Sequence, residues 1–294
     1  MRTFRLLAAL AVAAFPLLAA AQQDLSKVEI KTTPLRDGTH MLTGAGGNIV
    51  ASAGSDGVFI IDDQFAPLAG KIRAAVAKLS DKPVRFVVNT HWHGDHTGGN
   101  EEMGKAGAVI VAHGNVRKRM SAGQLLLGNM VPPASGAALP VVTFTADLTL
   151  HLNGDEVKVQ HVEHAHTDGD ALVKFERANV LHMGDVYFNG LYPFIDAGSG
   201  GSIGGLLAAI DTGLALSDAE TLVVPGHGPV SNRTELAAYG AMLKGFRDRI
   251  AAMKAEGKSL AQVIAAKPTA STDEALGKAF IKPQQLVTFI YETL

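Results

Sequence analysis

The chain has 294 residues, 47% hydrophobic and 18% charged, with 26 basic against 28 acidic side chains and a formal net charge of -2. That balance excludes a disordered chain, fits one large globular domain, and lacks the basic run that a nucleic-acid partner requires. No cysteine is present, so disulfides, thiolate metal ligands and a lipid-bearing cysteine are all excluded, and stability must come from the core.

Met1 to Arg5 is basic, Leu6 to Leu18 is apolar, and Ala19 to Ala21 are small. This is the pattern of a secretory signal peptide cleaved after Ala21, which leaves residues 22–294 as the folded domain and makes a secreted, periplasmic location the expectation. The apolar run is shorter than the roughly 20 residues that span a bilayer, so no membrane anchor is expected in the mature form.

Next, Val28 to Thr33, Thr39 to Leu42, Asn48 to Ser52 and Val58 to Ile61 alternate with turn-forming clusters and predict an antiparallel meander. Asp62 and Asp63 close the last strand, where an exposed turn is the expected role. Pro67 to Ser80 carries apolar residues at helical spacing, and Val84 to Asn89 reads as a buried strand. A strand, a helix and another strand point to α/β layering.

That strand runs directly into Thr90-His91-Trp92-His93-Gly94-Asp95-His96. Two histidines two apart can turn their rings to one side, and four metal-binding side chains within six residues can serve two neighbouring cations. Imidazole and carboxylate ligands suit zinc and are also compatible with iron or manganese. Beyond the motif, a helix beginning near Thr97, a strand over Ala108 to Ala112 and a basic helix opening at His113 are predicted. Ser121 to Pro140 is apolar, rich in proline and aperiodic. It reads either as a lid over the site, with Leu126 and Met130 facing substrate, or as a short core helix.

Val141 to Thr145, Leu148 to Leu152 and Val157 to Val162 begin a second set of strands, with Asn153-Gly154 as a hairpin turn. His161, His164 and His166 then compete for one role. After the strands Ala171 to Phe175 and Asn179 to His182 comes Gly184-Asp185. The aromatic stretch Val186 to Phe194, including Tyr187, Asn189 and Tyr192, suggests a pocket wall. Ser202 is a plausible cap for a helix over Ile203 to Leu216, and Thr221 to Val224 ends in Pro225-Gly226-His227-Gly228. Thr234 to Lys254, Leu260 to Ala266 and Gln284 to Glu292 are predicted helices.

From about Val28 onward the chain resembles the metallo-β-lactamase superfamily, through the H-x-H-x-D-H string and the order of His166, Asp185 and His227 after it. The resemblance implies a four-layered αβ/βα sandwich of two mixed sheets flanked by helices, with two metals at the edge between the sheets. It implies that one metal takes His91, His93 and His166, the other Asp95, His96 and His227, and that Asp185 bridges them. His164 is then left as a neighbouring or pocket residue, as is Trp92 inside the motif, and His161 as strand surface. A bound cation lowers the pKa of water to about 7, so hydrolysis of a small molecule is the default reaction. Asp95, besides ligating, is placed to orient the attacking water and move its proton. Export and the resemblance favour β-lactam ring opening. The full ligand set with an aspartate at 185 is more similar to thioesterases, lactonases and phosphodiesterases of the superfamily, and an iron-dependent sulfur dioxygenase uses a related motif.

Overall fold

The computed structural model describes residues 24–294; the expected signal segment lies outside them. Strands β1 (Lys31–Pro34), β2 (Thr39–Thr43), β3 (Ile49–Gly54) and β4 (Gly57–Ile61) form the antiparallel meander. Helix α1 (Ala69–Val76) carries the chain across to β5 (Val84–Val88), which pairs parallel to β4. Two short helices, α2 (Gly94–Thr97) and α3 (Asn100–Lys105), lead to β6 (Val109–His113), again parallel.

From β6 the chain enters α4 (Gly114–Ala122), whose first free amide, that of Asn115, is taken up by the His113 ring. Residues 121–140 are not a core helix. Within them β7 (Gln124–Leu126) and β8 (Asn129–Val131) pair as a hairpin around Leu127-Gly128, with Leu126 and Val131 packed on the protein and Leu125 and Met130 exposed. The strand β9 (Val142–Phe144) was expected to open the second sheet, but it pairs parallel to β6 and closes the first. Its Phe144 points into the space between the sheets, which the sequence pattern alone does not distinguish from either sheet's edge.

The second sheet starts with β10 (Asp147–Leu152) and β11 (Asp155–His161), joined by the Asn153-Gly154 turn in which both residues have positive φ. Strands β12 (Ala171–Phe175) and β13 (Val180–His182) follow as a hairpin. Helix α5 (Ile203–Ala215), capped by the Ser202 hydroxyl, crosses to β14 (Leu222–Val224), parallel to β13. After β15 (Ser231–Asn232) come α6 (Arg233–Ala255), α7 (Leu260–Ala265), α8 (Ala270–Leu276) and α9 (Pro283–Glu292). The helix α8, which buries no side chain completely, has no periodic signal and was not foreseen.

Alternation along the strands explains the layers. In β4, Phe59 and Ile61 face the core between the sheets, while Val58 and Ile60 face α1 and α3. In the second sheet Val173 and Phe175 face inward, and Leu172, Leu181 and Val223 pack under α5 and α6. Burial on both faces makes these strands nearly continuous apolar runs and yields helix, sheet, sheet, helix in that order. No helix among the described residues is long and apolar enough to cross a membrane.

Phe59 and Phe175 stack between the sheets with ring centroids 5.7 Å apart. Phe175→Ala should therefore cost about 3–5 kcal/mol. The midpoint of urea unfolding by circular dichroism checks this, and a loss under about 1 kcal/mol would contradict the packing described.

Candidate metal centre

Four loops at one edge of the two sheets deliver the site. His91 and His93 lie just beyond β5, and His93 is the residue before α2, so Asp95 and His96 sit on that one-turn helix rather than on an open turn. His166 follows β11, Asp185 occupies a 3-10 turn after β13, and His227 follows β14. The structure brings all seven together in two groups with potential ligand atoms within 4.8 Å of one another: His91, His93, His166 and Asp185, and Asp95, His96, His227 and Asp185. Asp185 belongs to both.

The outer nitrogen of most of the imidazoles is fixed by a hydrogen bond. His96 Nδ1 donates to Asp62 at 2.7 Å, His93 Nε2 to Asp196 at 3.0 Å, and His166 Nδ1 to the Phe194 carbonyl at 2.8 Å. His91 Nδ1 donates to the Thr90 hydroxyl at 3.0 Å, which itself donates to Asp62 at 2.8 Å. In a neutral ring this leaves the other nitrogen with its lone pair turned inward. Those inward nitrogens crowd one another: His93 Nδ1 is 2.8 Å from His166 Nε2, and His96 Nε2 is 3.4 Å from His227 Nε2. Asp185 Oδ1 and His91 Nε2 are buried and make no hydrogen bond. Converging lone pairs and orphaned buried atoms are the arrangement that a cation resolves, so the residues fit a divalent metal pair.

Electrostatics agrees with that fit. Burial depresses His91 well below the ordinary histidine value and takes His166 down to about 4, so both are neutral at pH 7. Burial pushes His96 and His227 the same way, but Asp185 and Asp95 outweigh it; His96 is raised well above its ordinary value and His227 to about 9. Burial opposes ionisation of Asp95 and Asp185, yet the neighbouring imidazoles bring Asp95 down to about 2 and hold Asp185 well below the usual carboxylate range. Both carboxylates are therefore charged, and a metal entering the second group displaces protons from its histidines.

Close backbone approach holds the loops in place. A Cβ on Gly226 would lie 2.0 Å from Asp185 Oδ1, and one on Gly47 would lie 2.1 Å from the His96 ring. Asn48, immediately before β3, ties the sheets together: its side chain donates to the Pro225 and Gly228 carbonyls at 2.9 and 2.8 Å, on either side of His227. Asp170 accepts from the Thr167 amide and hydroxyl at 2.7 and 2.5 Å and pins the turn after His166.

A cleft of about 480 Å³ opens onto the site. Leu126 and Tyr192 line it, together with Phe65, Leu127, Val131, Phe188, Leu191, Phe194 and Phe280. The other expected pocket residues do not. Trp92 is buried behind His93 and donates to Ser199; Tyr187 is buried against Tyr239 and bonded to Ser231. Asn189 braces the His227 loop through the Pro229 carbonyl, and Met130 points outward from the hairpin, 72% exposed. His164 has φ 51 and turns to the Gly200 carbonyl, because the tight turn before His166 directs it away from the cleft. Asp62 and Asp63 are fully buried instead of exposed: Asp62 serves His96 and Thr90, and Asp63 accepts from Gly99. A carboxylate's role in anchoring a histidine 34 positions away leaves no local pattern, and Asp196 and Asn48 escaped notice for the same reason.

Layering of this kind, with paired donor groups at one sheet edge, defines a class of αβ/βα sandwich proteins suited to metal. The chain belongs to the metallo-beta-lactamase superfamily, which it matches over residues 42–227. It is 28% identical over 172 residues to a hydroxyacylglutathione hydrolase of Nitrosococcus oceani, covering 56% of this chain and 57% of that one. It is 26% identical over 166 residues to the alpha subunit of a 2,4-dinitroanisole O-demethylase of Nocardioides sp., covering 54% and 47%. The chain thus spans about half the length of these curated relatives. Among solved structures, a metallo-beta-lactamase from Pontibacter korlensis superposes with TM-score 0.63 at 19% identity, over 74% of this chain and 99% of that one. A stereoselective inverting sec-alkylsulfatase from Pseudomonas sp. gives 0.66 at 19%, over 90% and 50%. At that identity the likeness is one of fold.

Replacing Asp62 by alanine frees both His96 and the Thr90 hydroxyl, and should weaken zinc binding about 10- to 100-fold. Competition against a chromophoric chelator measures this; unchanged affinity would mean that Asp62 does not orient the site.

Proposed function

We propose that this protein is an exported metal-dependent hydrolase that cleaves an amide or ester bond in a small molecule. The observation that carries this reading is the pair of donor groups sharing Asp185, with unpartnered buried nitrogen and oxygen atoms facing one cleft. His91, His93 and His166 with Asp185 would hold one cation, and Asp95, His96 and His227 with Asp185 the other. Zinc suits these ligands, and iron or manganese is compatible with them. A bound pair supplies an activated water at neutral pH and stabilises negative charge developing on the substrate oxygen.

The protein's own groups do the rest. Asp95 is partly exposed to the cleft, with Oδ2 3.2 Å from His227 Nε2. Its carboxylate can orient the attacking water, accept its proton and release it to the leaving atom. Tyr192 lines the cleft, but its hydroxyl is engaged by Thr272 at 2.7 Å and Asp273 at 2.8 Å, and burial raises it to about 12. It stays protonated and serves as wall rather than acid. Export rests on the basic, apolar and small-residue pattern of residues 1–21.

Two bond types compete within this reading. Opening of a β-lactam ring is supported by the fold neighbours named metallo-beta-lactamase. Ester, lactone or thioester cleavage is supported by the hydroxyacylglutathione hydrolases among the relatives and by the aspartate at 185. Purified protein should hydrolyse a chromogenic cephalosporin or an aryl ester, lose activity to a chelator and recover it with zinc. Recovery with iron alone would point instead to oxidation of sulfur. His93→Ala should lower turnover by at least about a hundredfold with circular dichroism unchanged, since losing a ligand costs no less than losing its supporting residue. Full turnover in that variant would remove the ligand assignment.

A further inference from the structure

On the basis of that hydrolase reading, we propose that the substrate is a neutral ester or lactone whose acyl part is an apolar chain or ring, held at the cleft mouth by Leu126, Leu127, Val131, Leu191 and Phe280. Water's oxygen bonds to the acyl carbon, the C–O bond to the alcohol breaks, and the alcohol leaves with a proton. The lining is the first argument. Apart from the donor residues His93, Asp95, Asp185 and His227, the side chains there are apolar, save the Tyr192 hydroxyl, which is already bonded. Among the described residues no lysine, arginine or side-chain amide lines the cleft, so a carboxylate remote from the reacting carbonyl would be desolvated without a partner.

The hairpin is the second. Leu127 and Gly128 are the two central residues of the turn between β7 and β8, with φ 48 and 82. A two-residue turn with both φ positive favours asparagine, aspartate or glycine at its first position; leucine there is strained. Its side chain lies on the cleft lining, 48% exposed. Strain of this kind points to a use. Phe280 is the third: it is 67% exposed, reaches the cleft from the segment between α8 and α9, and meets the Phe194 ring edge-on at 6.3 Å. Large apolar groups left open around a cleft of this size mark a surface that a ligand covers.

The test uses the zinc-loaded protein with p-nitrophenyl acetate, butyrate and hexanoate and with mono-p-nitrophenyl succinate, which carries a terminal carboxylate on a chain of butyrate's length. kcat/KM should rise up to about fourfold per methylene, and butyrate should exceed the succinate by at least about tenfold. Leu127→Asn suits the turn better, so its Tm should equal or exceed that of the natural protein. Its hexanoate-to-acetate ratio should nonetheless fall about tenfold. Leu127→Lys should shift preference toward the succinate. A flat chain-length profile, equal rates on butyrate and succinate, or an unaltered ratio in Leu127→Asn would overturn the assignment. Cleavage of the cephalosporin with every ester refused would overturn it while leaving the hydrolase reading in place. Inertness toward all of them would overturn both.

Discussion

Two imidazole nitrogens 2.8 Å apart, on His93 and His166, both turn their lone pairs inward, and much of the structure exists to keep them there. Left alone, such a pair would rotate apart or take up a proton. Asp196 and the Phe194 carbonyl hold the far side of each ring, and Asp62 does the same for His96 and, through Thr90, for His91. Unfavourable convergence is thus built in before any ligand arrives. That is how a site gains affinity: the cost of organising the donors is met during folding rather than during binding.

The scaffold supplies this rigidity through strand ends. Each donor follows a strand of one of the two sheets, and the short connections leave little slack. Where loops from different sheets meet, the spacing is set by missing side chains, at Gly47 against His96 and at Gly226 against Asp185. Asn48 completes the junction by bonding both sides of the His227 loop. The cleft obeys a different logic. Its apolar wall comes from the hairpin and the segment before α9, which carry no donor, and from the stretch after Asp185, which also holds the donors through the Phe194 carbonyl on His166 and Asn189 on the His227 loop.

How much of this was legible in the sequence depended on whether the signal was local. The meander, the Asn153-Gly154 turn, the Ser202 cap and the long helix α6 each announce themselves within a few residues, and the chain shows them where expected. The seven residues gathered at the sheet edge were legible because four fall within six positions and three follow in a recognisable order. Sheet membership of β9 was not, since a strand of three residues fits either edge. The burial of Asp62, the bracing role of Asn189 and the outward face of His164 depend on partners tens of residues away. Aromatic content after Asp185 did mark a wall, yet which rings face the cleft and which face the core, Tyr192 against Tyr187, is decided by tertiary packing.

The partners of this centre run from Asp62 to His227 and come from both sheets, so the centre cannot exist until the two halves have docked. Contacts that distant in sequence form late in folding. An ion captured there would act as the final fastener of a chain that has no cysteine to crosslink. By mass action, free ion at a hundred times its dissociation constant adds about 2.7 kcal/mol to the native state. Resistance to unfolding would then vary with ionic supply: where chelating neighbours deplete the surroundings, the protein would lose a clasp between its layers along with its chemistry.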